Sequence, residues 1–104
     1  MSFRAAGMIR TPPMQREPSP SRAAILAEIR TFVATWFRDG REDGLDPTTP
    51  LVTSGIVDSA GVVEVVEFLE RKWGVKIADT EISLRNFDTL QGLTDLVASR
   101  LGVR

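Results

Sequence analysis

The chain has 104 residues, room for one domain and not for two. Its 13 basic and 14 acidic residues leave a net charge of −1, which gives no general electrostatic reason to expect nucleic acid as a partner. It holds no histidine and no cysteine, which removes the imidazole base of a triad, the thiolate nucleophile, the disulfide and the usual structural zinc site. No apolar run approaches the roughly 20 residues that span a bilayer.

Residues 1–20 hold four of the six prolines (Pro12, Pro13, Pro18 and Pro20) and all three methionines. Arg4, Arg10 and Arg16 stand against Glu17 alone, and the apolar residues show no period, so the segment is read as a disordered tail ahead of a domain over 21–104. It lacks the continuous apolar stretch of a secretory signal. A translation start at Met8 or Met14 stays open.

Ser19 as N-cap and Pro20 as first helical residue predict the start of a first helix. Ile25, Ile29, Phe32, Val33 and Trp36 form its apolar stripe, and Gly40 or Gly44 stops it. Leu45 to Asp58, with Pro47, Pro50 and Gly55, reads as a long loop anchored by Leu51, Ile56 and Val57. The valines of Ser59 to Trp73 favour strand, but period decides for helix. Val62, Val65, Val66, Leu69 and Trp73 share about 100° of arc, and Gly74 supplies the stop. A short helix follows near Asp79 to Leu84. The last begins at Asp88, with Gln91 three residues on as in a capping box, buries Leu90, Leu93, Val97 and Leu101, and ends at Gly102. The expected fold is all-α: three long helices and one short, with a long loop between the first two.

Gly55-Ile56-Val57-Asp58-Ser59 lies where that loop becomes the second long helix. A hydroxyl there sits among free backbone N–H groups and the positive end of the helix dipole, a good place to carry a phosphodiester. Nothing near it in sequence activates the serine as a nucleophile, so another enzyme must modify it. The alternative is that Asp58 or Ser59 is only the N-cap. On the helix wheel Ala60, Glu64, Glu67 and Arg71 lie opposite the apolar stripe, with Val63 and Glu70 flanking them. They form either a docking face or a solvated face with an i, i+4 pair of Glu67 and Arg71. Phe32, Trp36, Phe68, Trp73 and Phe87 read as core or core edge.

The run Ser54-Gly55-Ile56-Val57-Asp58-Ser59, with Gly61-Val62-Val63-Glu64 and Phe68-Leu69-Glu70 after it, resembles the acyl carrier protein family. The resemblance covers about Ala23 to Leu101 and agrees with the helix order. It implies that Ser59 carries 4′-phosphopantetheine, drawn from coenzyme A, and that Asp58 assists the metal ion of the phosphopantetheinyl transferase. The added thiol would hold an acyl or aminoacyl cargo as a thioester, delivered by a loading ligase and passed to a downstream synthase or transferase. The chain itself would be a non-catalytic, monomeric, cytoplasmic carrier. Glu64 and Glu70 fall on commonly acidic docking positions of that family. Asp-Ser-x-Gly and Asn86-Phe87-Asp88-Thr89 resemble discrete carriers, including D-alanyl and other aminoacyl carriers, which points to a specialised pathway.

Ala60 departs from the family, which has Leu or Met there. At about 25 cal/mol per Å², the smaller side chain costs on the order of 1–2 kcal/mol of partner affinity. It also supports the rival reading, an unmodified carrier-fold adaptor that acts only by binding. A stand-alone enzyme would need an acid/base pair such as Asp58 with Glu64. Split along the chain, the formal charge is +2 over 1–20, +2 over 21–38, −7 over 39–70 and +2 thereafter. The near-neutral total hides an acidic stretch around Ser59.

Overall fold

A computed structural model describes residues 20–103 of the chain. The tail expected over 1–20 lies outside these residues apart from Pro20. Helix α1 runs Arg22–Phe37, and its N-cap is Ser21, whose Oγ accepts the Ala24 N–H at 3.1 Å. This corrects the expected start: Ser19 lies outside the described residues, and Pro20 precedes the cap instead of opening the first turn. Ser21 wins because its hydroxyl stands three residues ahead of an orphan N–H. The helix ends at the first of the two candidate glycines. Asp39 and Gly40 take positive φ, 55° and 86°, and the Gly40 N–H reaches back to the Ala34 carbonyl at 2.8 Å.

The long connection to α2 is held from inside. Leu51 and Val57 are buried and Ile56 is half-buried, as expected, and Leu45 joins them. Arg30 Nε donates to the Leu45 carbonyl at 2.9 Å, which fixes this extra anchor to α1.

Helix α2 spans Ser59–Trp73, between an Asp58 N-cap and a left-handed Gly74 at φ 68°. It buries Val65 and Leu69 fully, with Val62, Val66 and Trp73 half-buried. The short helix expected near Asp79 to Leu84 is two elements, a 3-10 turn Asp79–Glu81 and the four-residue helix α3, Leu84–Phe87. Ile82 and Ser83 leave helical geometry between them, at ψ 87° and 164°. Glu81 holds the break in place: its Oε1 accepts the Ala78 N–H, its carbonyl accepts Asn86 Nδ2, both at 2.9 Å, and its carboxylate pairs with Arg100.

Helix α4 runs Leu90–Leu101 and ends at left-handed Gly102. Its cap is Thr89, whose Oγ1 accepts the Gly92 N–H at 2.9 Å, and not Asp88 as the sequence suggested. Asp88 is committed elsewhere, as shown below. Leu90, Leu93 and Val97 are buried, Leu101 is half-buried, and Leu96, Ala98 and Thr94 are buried as well.

Packing α1 and α3 against α4 closes the bundle, and no strand occurs among the described residues. The all-α expectation holds, with helices of 16, 15, 4 and 12 residues. Between α1 and α2, Phe32 stacks on Phe68 with ring centroids 4.1 Å apart and planes 11° apart. Phe87 is buried, and Phe68 and Trp73 are half-buried. Trp36 contradicts its assignment to the core or its edge, because it is 57% exposed. It packs on Phe32 but turns outward, whereas the next residue, Phe37, lies against Gly61 of α2.

Candidate functional site at the head of α2

Asp58 and Ser59 divide the two roles that the sequence left open. Asp58 is the N-cap: its Oδ1 accepts the Gly61 N–H at 2.7 Å. Ser59 is the first residue of the helix and is exposed, and its Oγ makes no hydrogen bond among the described residues. The loop that delivers them is shaped by Gly55, at φ 88°, and by Ser54, whose Oγ donates to the Pro50 carbonyl at 2.6 Å and accepts the Ile56 N–H at 3.3 Å. A Cβ on Gly61 would stand 2.7 Å from Phe37 Cε1. That glycine is what lets the first turn of α2 lie against the last turn of α1.

On the other flank of α2 lies an apolar hollow of about 220 Å³, lined by Val52, Val62, Ile82, Ser83, Leu84 and Phe87. Val62 follows Ser59 by three residues, so the hydroxyl and the hollow share one side of the helix. Leu84 and Ile82 at its rim are exposed. One wall is fastened by Asp88, whose Oδ1 accepts the N–H groups of Val52 at 2.8 Å and Thr53 at 2.9 Å, while the Thr53 hydroxyl donates to Oδ2 at 3.0 Å. The Thr53 N–H above all, then its hydroxyl and the Val52 and Leu51 N–H groups, hold the Asp88 carboxyl below its usual value against an opposing effect of burial. Sequence reasoning missed this role. The local spacing to Gln91 assigns Asp88 to a helix cap, and no local pattern points to partners in the distant loop.

The outer face of α2 is less uniform than the wheel suggested. Ala60, Val63, Glu67 and Arg71 are exposed, Val63 at 55%. Glu64 was expected in solvent and is half-buried instead. Glu70 is half-buried too, and its Oε2 accepts the Ile77 N–H at 3.0 Å, so it ties down the segment after α2. Lys72 reaches across to Glu28 of α1 at 3.6 Å. Among the described residues no cluster of acidic side chains is arranged to hold a metal ion, and no helix is long and apolar enough to cross a membrane.

The site is therefore a free hydroxyl at a helix head, beside an apolar hollow, with acidic groups along the adjoining face. The hydroxyl is sterically open, and the neighbouring Asp58 caps the helix. Similarity to known proteins agrees. The chain is 46% identical over 71 residues to the probable acyl carrier protein PigG of Serratia sp. (strain ATCC 39006), a match that covers 68% of this chain and 82% of the relative. In the solved structure "Crystal structure of FAD-dependent dehydrogenase", one chain superposes with a TM-score of 0.60 at 32% identity, covering 65% of this chain and 96% of that one. No protein-family model matches the sequence. With this relative, these helices and the Asp58-Ser59 junction at the head of α2, the chain belongs to the acyl carrier protein family.

Proposed function

We propose that Ser59 is the attachment point of 4′-phosphopantetheine and that the protein presents an acyl or aminoacyl thioester to the enzymes of a specialised pathway. The observation that carries this reading is the exposed Ser59 Oγ, without a hydrogen bond among the described residues, on the same flank of α2 as the apolar hollow. The residues present fit the group. The hydroxyl is free, the helix head favours its phosphate, and Val62, Leu84 and Phe87 offer apolar surface beyond it. When bound, the group supplies the thiol that the cysteine-free chain lacks. The phosphopantetheinyl transferase must bring the base that takes the Ser59 proton, because the chain has no histidine. One oxygen of Asp58 is spent on the cap; the other is assigned to the metal ion of that transferase.

A carrier needs a loading ligase and an enzyme that works on the tethered cargo. A flavin-dependent dehydrogenase is the downstream enzyme that the structural likeness favours. The matched region, 65% of this chain, is about 68 residues, so the chain that it covers to 96% is about 70 residues long, the size of a carrier domain. Dehydrogenation takes two hydrogens from the cargo and gives them to the flavin, so the redox balance closes within the partner. Modification from coenzyme A and loading by a ligase favour a cytoplasmic location. Intact-mass analysis after co-expression with a broad-specificity phosphopantetheinyl transferase tests the reading. The wild-type protein should gain one phosphopantetheinyl group and Ser59→Ala none.

A further inference from the structure

We infer that Trp36 is a docking anchor for the enzyme that modifies Ser59, inserting into an apolar pocket of that enzyme rimmed by basic side chains. The inference rests on the carrier reading and adds to it a residue on a different helix. Helices α1 and α2 run antiparallel along one seam. Glu28 pairs with Lys72 at one end, Phe32 stacks on Phe68 in the middle, and Phe37 abuts Gly61 at the other. This register puts Trp36 opposite Glu64, at the end of the seam where Ser59 opens α2.

Trp36 is supported from below and open above. Its ring lies 5.7 Å from that of Phe32, which is itself buried and stacked on Phe68, yet more than half of the Trp36 surface is exposed. A large aromatic held rigidly in this way loses little side-chain freedom on being covered, which is why tryptophan is enriched among the residues that dominate interface energies. An interface of ordinary size covers about 800 Å² on each partner, a disc of roughly 16 Å radius. Phe37, the neighbour of Trp36, touches the residue two positions after Ser59, so an enzyme seated on Ser59 covers Trp36 as well. Around the serine on α2 the exposed apolar side chains are Ala60 and Val63, both small. Leu84 and Ile82 are exposed at the rim of the hollow, and Trp36 is the large exposed apolar group on the α1 side of the serine.

Charge names the chemistry of the partner. Glu64, Glu67 and Asp58 stand around this end of the seam, within the stretch of net charge −7. Of the nearby cations, Lys72 pairs with Glu28 at the far end and Arg71 lies two turns along α2 from Glu64, while Arg38 and Arg41 keep their charge but are turned onto backbone carbonyls of the loop after α1. An apolar pocket with lysine or arginine at its rim complements this arrangement.

The test uses full-length protein, a broad-specificity phosphopantetheinyl transferase and coenzyme A. Trp36→Ala should raise the KM of modification about tenfold at unchanged kcat, with a small loss of melting temperature from the lost Phe32 contact, and Trp36→Phe should recover most of both. Glu28→Gln, at the far end of the seam, should leave KM unchanged. In a Trp73→Phe background Trp36 is the single tryptophan, and its fluorine resonance in 5-fluorotryptophan-labelled Ser59→Ala protein should shift on saturation with the transferase. A KM within twofold of wild type in Trp36→Ala, or an unmoved resonance at saturation, overturns the anchor while the carrier reading stands. Failure of the wild-type protein to gain any group overturns both.

Discussion

Asp88 and Thr53, 35 residues apart, are joined twice: the Thr53 N–H donates to Oδ1 at 2.9 Å and its hydroxyl to Oδ2 at 3.0 Å. With the Val52 N–H on the same carboxylate, this clasp holds one wall of the hollow against the start of α4. Asp88→Asn should lower unfolding stability by about 1–2 kcal/mol at neutral pH, measured by urea denaturation. Because the bonds favour the ionised form, the native carboxyl titrates below its unfolded value. The contribution is therefore complete above the ordinary aspartate range near pH 3.9 and disappears as pH falls through the lowered native value. The stability gap between wild type and Asp88→Asn should close in that acid window and stay constant from pH 5 to 8.

Two glycines make close approaches, and their neighbours differ in how far they can yield. A Cβ on Gly92 would meet the backbone carbonyls of Asn86 and Arg85 at 2.8 and 2.9 Å, whereas one on Gly61 would meet the half-buried ring of Phe37. Backbone of the short α3 has nowhere to move, while the ring can turn. Gly92→Ala should cost about 2–3 kcal/mol and Gly61→Ala about 1 kcal/mol, after the helix-propensity gain of alanine, by thermal or urea unfolding. The order is the informative outcome; Gly61→Ala as the more damaging variant would contradict the packing described.

Thr94 is 1% exposed on α4, and its Oγ1 has no hydrogen-bond partner among the described residues. An orphan hydroxyl in an apolar core carries a desolvation cost and returns nothing. Thr94→Val, nearly the same shape, should raise the melting temperature, with a gain of about 1 kcal/mol, and leave Ser59 modification unchanged.

These features also mark what the sequence made legible. The bounds of α2 were readable because Asp58 caps it with its own side chain and Gly74 ends it in the left-handed region, both local devices. The start of α4 was misread by one residue because the Asp88 carboxylate is spent on partners 35 and 36 residues away, which no local pattern reveals. Trp36 kept the helical period of the stripe but turns outward, while Phe37 beside it takes the place against Gly61. Glu70 lay on the flank of the wheel, yet a wheel does not contain the Ile77 N–H that its carboxylate accepts. The exposed position of Ser59 at the head of α2 was legible from the loop-to-helix junction; the hollow, assembled from three separate segments, was not.

The acidic face is best probed away from Glu70, whose carboxylate secures Ile77. Reversal of Glu64 and Glu67 together to lysine should weaken binding of the loading enzyme by about tenfold at low salt and flatten its salt dependence, read by titration at two ionic strengths. Glu70→Lys should instead lower stability by about 1 kcal/mol, since it removes an acceptor from a backbone N–H. Unchanged affinity in the double reversal would place docking elsewhere.

The central claim is that one particular hydroxyl is modified. Tandem mass spectrometry of peptides from the co-expressed protein can place the added phosphopantetheinyl group among Ser54 in the same loop, Ser83 at the rim of the hollow, and Ser59. The account predicts the group on Ser59 alone, at one per chain. A group on Ser54 or Ser83, or a chain that stays unmodified, would contradict it.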